Sequence, residues 1–527
     1  MDASDRSTCL EGTRTELLQS ITDWASRPSL DQRILWLHGL VGSGKSTIST
    51  TVANFFNGTY LGAFVFFDRD VEERNRPSNV IRTISHQLGK ADSGIGTVIA
   101  KAINTISNIT SMTPIRQFTD LVVNPLLSLP VSEIPIVIVI DALDECGNAN
   151  SREKLLEALV AKSAELPPVV RIIITSRKEP DILAAFTGKS HILVEELDLT
   201  TQHNMEDILR FLRARMSNIN SRNPELRLAP DWPGCDKIRA LAERAAGLFV
   251  WASTACLFIA SHDPPNSLDL LLQGDVGTDT QSALDVLYAT ALKSADHAND
   301  EDFRFDFLSI MGTIIVARNP LSNEAIDTLL CLKRPSLHTI RKLGCVLHWS
   351  EGEPIRVIHP SFIDYLSTSL RRGFDALYID PQFHHRQLAI HCLRYLNSVL
   401  RRNLCDLTLS TESIYTEMSE STAYASASWI THVIQMTQSP ECFGDELEQF
   451  LSKHLLHWLE AMGILEKSRE VSVLLRSLLG WVEVSPFGYR TLLILTYLVV
   501  DESRKLLQSA RSYLRWPSVR PSIRVFD

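Results

Sequence analysis

The sequence predicts an α/β fold, a parallel sheet with helices on both faces, followed by helical, winged-helix and all-α regions. Three observations predict it. Short apolar, β-branched runs alternate with helical patterns, which is the signature of parallel strands joined by crossover helices. The first run, Ile34-Leu35-Trp36-Leu37-His38, leads into a Gly-rich turn and then into residues 46–55, which contain no Gly or Pro. Far downstream, three helical segments precede two short β-patterned runs around Ser350-Glu351-Gly352-Glu353-Pro354, a hairpin with a wing-like loop.

The elements follow in order. Residues 1–30 form a strap in which Leu17, Leu18, Ile21 and Trp24 recur at helical spacing until Pro28, so a helix is expected beside the first strand. Residues 61–67 read as a second buried strand ended by Asp68-Arg69-Asp70, and 78–90, 93–107 and 118–129 as helices. Residues 134–140 are a central strand, 151–165 a helix and 169–175 the next strand, giving one domain over 31–195. A helical domain over 196–300 follows, with a helix at 204–216, a loop at 217–234, a helical pair broken at Gly247, and short helices at 278–299. The winged-helix unit spans 301–370, with helices at 303–317, after the N-cap Ser322, and at 337–343. Its third, recognition helix is read as lacking basic residues. Residues 371–527 are helical and apolar, with 384–401 and 447–462 the clearest amphipathic stretches and Trp516-Pro517-Ser518-Val519-Arg520-Pro521 a disordered tail. His454 and His457 share a helix face without acids or thiols to make a metal site.

Composition narrows the function. The chain has 527 residues, 45% hydrophobic and 22% charged, with net charge −10. No long basic run argues for nucleic acid as the partner, and Arg371-Arg372 and Arg401-Arg402 read as solvated helix faces. Nine cysteines without a C-x-x-C pair suit a reduced, cytoplasmic protein. The N-terminus lacks a signal-peptide core, and the longest apolar runs, 248–260 and 492–500, fall short of the ~20 residues of a membrane span.

Three constellations carry chemistry. Gly39-Leu40-Val41-Gly42-Ser43-Gly44-Lys45-Ser46-Thr47 fits G-x-x-x-x-G-K-[ST], a phosphate-binding P-loop. Gly39, Gly42, Ser43, Gly44 and Thr47 build a loop whose N–H groups face phosphate oxygens, Lys45 reaches the β- and γ-phosphates, and the Ser46 hydroxyl ligates Mg²⁺. Asp141, at the end of the 134–140 strand, is a second Mg²⁺ ligand, and Asp144 or Glu145 is placed to polarise an attacking water. Arg177, after Thr175-Ser176, follows a strand predicted to end near the γ-phosphate, where a cation senses or stabilises phosphate charge.

Together, G-L-V-G-S-G-K-S-T, I-V-I-V-I-D-A-L-D-E-C and I-I-I-T-S-R resemble the fungal NACHT-domain NTPases. These are STAND-class, NLR-like P-loop signalling ATPases. Residues 9–24, Arg76-Pro77-Ser78 and Gln117-Phe118 extend the resemblance, which covers residues 9–470. It implies an ATP/ADP switch with Mg²⁺, with GTP the less favoured alternative. Slow hydrolysis would be coupled to opening and self-association in the ATP state, serving fungal innate immunity or heterokaryon incompatibility with effector and sensor partners. It also implies that His359 contacts the ADP β-phosphate, although Pro360 stands where many relatives have Asp. Gly247-Leu248-Phe249 replaces the family's Gly-x-Pro, leaving Phe249 either a core aromatic or a base-stacking ring. The chain reads as a switch core without effector domain or sensor repeats, naturally short or truncated. The alternative is a scaffold whose nucleotide site is degenerate.

Overall fold

The computed structural model describes residues 6–484, except 28–30, 69–70, 72–73, 107, 129–133, 262, 275–278, 297–300, 369–376, 406–417 and 437–440. The Arg371-Arg372 pair, the apolar run 492–500 and the tail 516–521 lie outside the described residues.

The N-terminal strap forms α1 (Thr15–Ser26). The sheet then alternates strand and helix: β1 (Ile34–His38), α2 (Lys45–Phe56), β2 (Leu61–Phe66), α3 (Pro77–Ala91), α4 (Ser93–Thr105), α5 (Pro114–Phe118), α6 (Asn124–Leu127), β3 (Ile136–Asp141), α7 (Ala149–Ser163), β4 (Val170–Ser176), α8 (Pro180–Phe186) and β5 (Ile192–Glu196). All pairings are parallel, in the order β2-β3-β4-β1-β5. The predicted helix at 118–129 starts earlier and passes through a π turn, Thr119–Val123, just before Pro125, whose missing N–H an uninterrupted α-helix could not use.

Both faces of the sheet are covered, which explains the unbroken apolar runs. Successive side chains alternate between faces. Ile34 and Trp36 of β1 and Ile138 and Ile140 of β3 pack beneath α3, α7 and α8. Leu35, Leu37, Val137 and Val139 pack on the other face with Ile48, Val52 and Phe56 of α2 and Ile21 and Ala25 of α1. Burying one such side chain contributes about 1.5–3 kcal/mol, so β3, buried throughout its last five residues, is anchored far more strongly than β5.

Beyond the sheet lie α9 (Gln202–Arg222), α10 (Cys235–Arg244), α11 (Phe249–Ala260), α12 (Pro264–Gln273) and α13 (Thr280–Ala295). Two expectations are corrected here. The segment 217–234 is not all loop, because α9 continues to Arg222 with Ile219 buried. The segment 278–299 holds one continuous helix, α13, with Ala283, Leu284, Leu287, Tyr288 and Ala291 on its buried side.

The winged-helix arrangement comprises α14 (Glu301–Val316), α15 (Asn323–Leu330), α16 (Leu337–Lys342), the antiparallel pair β6 (Leu347–His348) and β7 (Arg356–Val357), and α17 (Pro360–Ser367). Ser322 caps α15 as predicted. The recognition helix α16 is not devoid of basic residues: Arg341 and Lys342 end it, with Arg341 over the Trp349 ring and Lys342 over Phe303. Helices α18 (Pro381–Val399), α19 (Glu420–Ile434), α20 (Glu441–Gln449), α21 (Leu455–Ile464) and α22 (Ser468–Val484) complete the described chain and share one apolar core with α9 to α17. Among the described residues, no helix is long and apolar enough to cross a membrane, no His/Cys/Asp/Glu cluster has metal-ligand form, and eight cysteines are free.

Candidate functional site

The P-loop joins β1 to α2. Gly42 and Gly44 have φ of 75° and 93°, left-handed values that glycine adopts without a Cβ penalty. Gly44 is the N-cap of α2, so the unpaired amides of the first turn face the loop. A Cβ on Gly44 would meet nothing within 4 Å, whereas one on Gly42 would lie 2.1 Å from Cγ1 of Val250. One side of the loop is therefore open, and the other is closed by α11, whose Val250 N–H donates to Gly42 O at 3.1 Å. Lys45 folds over its own loop and donates to the carbonyls of Gly39 (2.8 Å) and Leu40 (2.7 Å). Burial pushes its pKa down to about 8 against the opposing pull of Asp144; Arg177 adds to the lowering. Ser46 and Thr47 occupy the first turn of α2, half-buried beside Lys45.

The C-terminal ends of β3 and β4 supply the acids and the arginine. Asp141 is fully buried, and its Oδ1 accepts from the Thr175 hydroxyl at 2.5 Å. Thr175 also accepts the Ala142 N–H at 3.1 Å, holding Ala142 at φ 58° where the chain turns into the Leu143–Glu145 turn. Buried Arg152 of α7 fixes that turn, donating to Asp144 O at 2.7 Å while its other edge grips Asp181. Asp144 receives the Arg177 N–H on Oδ1 (3.0 Å) and the Arg177 guanidinium on Oδ2 (3.1 Å). Arg177 thus stands at the predicted strand end, with its charge directed to Asp144 and, at 3.8 Å, to Asp364 of α17. Both carboxylate oxygens of Asp144 are thus engaged by Arg177 in this arrangement.

His359 comes to the same place from the winged-helix unit. Its Cε1 would lie 3.7 Å from a Cβ on Gly42. It is the N-cap of α17, with Nδ1 accepting from the Ser361 N–H at 3.2 Å and 2.7 Å from the Ser361 hydroxyl, which also meets Tyr288 at 2.7 Å. An accepting Nδ1 places the proton on Nε2, a tautomer assigned from this network. Pro360 fits as the first helical residue, which needs no N–H. Arg356 of β7 reaches Asp68 at 3.3 Å, just beyond β2. The winged-helix unit therefore meets the site through His359, Asp364 and Arg356.

Phe249 packs edge-on to Phe211 (5.8 Å) with Arg14 at 4.8 Å over its ring, so it is a core-edge aromatic here. Arg14, Arg152 and Val250 are site-shaping residues that sequence reasoning missed. Arg14 donates to Ser43 O at 3.1 Å, and its N–H donates to Asp207 at 3.0 Å. Arg14 and Val250 act across long sequence separations, and Arg152 acts from the helix that follows the turn, eight residues from Asp144; Arg14 and Thr175 lay within stretches already noted, but no local motif marked their contacts.

Comparison with known proteins places this geometry in context. The family model described as Nephrocystin 3, N-terminal, matches residues 12–177, under a third of the chain. That span runs from the strap to Arg177 and contains the P-loop, Asp141 and Asp144. No curated protein matches the chain. Among solved structures, it is similar to a signal transduction ATPase with numerous domains, carrying a tetratricopeptide repeat sensor, from Pyrococcus horikoshii. Identity is 15% and TM-score 0.42, with 96% of this chain covered. The chain spans 60% of that protein's length. It is also similar to Cdc6p from Pyrobaculum aerophilum (11% identity, TM-score 0.31, covering 68% of this chain and 94% of that one). A third is Drosophila ORC bound to DNA (14%, TM-score 0.32, covering 65% and 89%). None of these matches supports the expectation that nucleic acid is no partner; that expectation rests on charge alone.

The donor set fits a phosphate chain with a divalent cation. The α2 amides and Lys45 offer an anion site, and the buried Asp141 carboxylate and the Ser46 hydroxyl offer hard oxygen ligands beside it.

Proposed function

We propose that the chain is a nucleotide-dependent signalling switch of the NACHT type, binding ATP or ADP with Mg²⁺ and hydrolysing slowly. The observation that carries this reading is the meeting of Lys45, Asp144, Arg177 and His359 around one P-loop, with His359 supplied by a separate unit. Gly39 to Thr47 would cradle the phosphates. Lys45 would exchange the Gly39 and Leu40 carbonyls for phosphate oxygens. Ser46 and Asp141 would hold Mg²⁺, which supplies charge neutralisation between phosphate oxygens when bound. Asp144 or Glu145 would orient the attacking water.

The switch lies in Arg177. In the docked arrangement Asp144 and Asp364 share its charge. A γ-phosphate competes for the same guanidinium, so a triphosphate weakens the α17 contact, whereas a diphosphate leaves Arg177 on Asp364 and offers its β-phosphate to His359. Such a ligand shifts the equilibrium only by its differential affinity for the two arrangements. We assign the units as strap 1–30, NTPase domain 31–195 (extended by β5 to Glu196), helical domain 196–300, winged helix 301–370 and a C-terminal region 371–527 whose described part, to Val484, is helical. Release would favour self-association, in keeping with a cytoplasmic immune or incompatibility role in a fungus.

Mass spectrometry of nucleotide carried by the purified chain, with equilibrium binding of fluorescent ADP and ATP, tests the reading. The parent binds both and Lys45→Ala binds neither while staying folded. A parent that binds no nucleotide would favour the scaffold.

A further inference from the structure

We propose that Arg6 is a built-in counter-cation for Asp141, which a divalent metal ion arriving with nucleotide must displace. The inference rests on the nucleotide-site reading above and deepens it by naming what regulates metal entry.

Asp141 has two oxygens in different surroundings. Oδ1 is taken by the Thr175 hydroxyl. Oδ2 has no hydrogen-bond partner, yet Nη1 of Arg6 stands 2.9 Å away, a contact of charge without hydrogen-bond alignment. The carboxylate is wholly buried, so an ionised Asp141 without a cation would carry a large desolvation cost. Arg6 offsets it. Its guanidinium also lies 4.4 Å over the ring of Phe66, the last residue of β2, which pairs in register with Asp141. Two neighbouring strand ends thus supply an aromatic face and a carboxylate to one cation. Arg74 lies over the same ring at 5.1 Å, but its carboxylate partner is Asp68, at 3.8 Å. It serves a different anion.

A magnesium ion sits about 2.0–2.1 Å from an oxygen ligand and keeps several waters. A guanidinium nitrogen 2.9 Å from Oδ2 occupies that volume, and its charge repels a second cation. The two are therefore exclusive. Displacement does not send Arg6 far. Three residues on, the Cys9 N–H donates to Thr51 of α2 at 2.8 Å. Three residues span at most about 10 Å, so the released arginine remains a local competitor at high effective concentration.

The test uses the full chain and reads binding. A fluorescent ADP analogue is held at fixed concentration, free Mg²⁺ is titrated, and polarisation gives the Mg²⁺ half-point for the parent, Arg6→Ala, Arg6→Gln and Arg6→Lys. A partly exposed ion pair supplemented by ring stacking is worth enough to lower the half-point about three- to tenfold in the two neutral variants. Arg6→Lys, which keeps the charge, stays within about twofold of the parent, and nucleotide affinity in EDTA changes less than the half-point does. Folded Arg6→Ala and Arg6→Gln with the parent's half-point would overturn the inference while leaving the nucleotide site intact. A parent that binds no nucleotide at any Mg²⁺ concentration would overturn the site reading, and the inference with it.

Discussion

Replacing Gly42 by Ala tests whether α11 seals the P-loop. Two costs follow from the structure. At φ 75° an L-residue is disfavoured by about 1–2 kcal/mol. The added methyl would also lie 2.1 Å from Cγ1 and 2.9 Å from Cβ of Val250, an overlap removed only by moving the loop or α11, which adds about 1–3 kcal/mol. Either movement lengthens the Val250 N–H bond to Gly42 O. The sum is about 2–5 kcal/mol, of which the overlap part alone depends on Val250. The assay is a double-mutant cycle of parent, Gly42→Ala, Val250→Ala and the pair. Because a chain of several units need not unfold in one step, the first urea transition is followed. Val250→Ala removes Cγ1 and leaves Cβ, so the double variant should be about 1–2 kcal/mol more stable than the two single effects predict. Additivity within about 0.5 kcal/mol would refute the seal and leave only backbone strain.

Other outcomes follow from the same geometry. Lys45 titrates at about 8 in the nucleotide-free chain, and phosphate binding holds it protonated, so nucleotide affinity should fall as pH rises from about 8 towards the ordinary lysine value of 10.5. In the same window the free chain gains stability, because only the unfolded lysine then keeps its proton; pH-dependent calorimetry reads both. Asp144→Asn should slow hydrolysis about 10²–10⁴-fold with a much smaller effect on binding, read by steady-state turnover beside equilibrium titration; equal losses would assign Asp144 to holding Arg177. His359→Ala should weaken ADP retention about ten- to a hundredfold and ATP affinity less, measured by release of fluorescent nucleotide. Unchanged ADP release would reduce His359 to the cap of α17.

The interior strands were legible because β1, β3 and β4 are buried on both faces and carry unbroken apolar centres, with their buried polar residues at or near the strand ends. The edge strand β5 was not. Ile192 alone is buried in it, and Glu195 and Glu196 face solvent, so the run lacks that signature. Polar residues hid α13 and the end of α9, because their stabilisation comes from a narrow buried stripe rather than from average hydropathy. Within the site, Gly42, Lys45, Asp141 and Arg177 were legible because local chemistry dictates residue type at fixed spacing. Their long-range partners were not: Val250 closes the loop from 208 residues away (250 − 42), and Asp364 reaches Arg177 from 187 (364 − 177). Neither belongs to a pattern, and only the packing of separate units brings them together.

The central claim is that nucleotide identity governs whether the winged-helix unit stays on the P-loop. Hydrogen–deuterium exchange over residues 355–367, with saturating ADP and then with a non-hydrolysable ATP analogue and Mg²⁺, measures it directly. The account predicts protection of this segment with ADP and at least tenfold faster exchange with the triphosphate, a change about 1.4 kcal/mol in size. Lys45→Ala should show the same exchange under both conditions. Equal protection in the parent with both nucleotides demonstrably bound would contradict the switch.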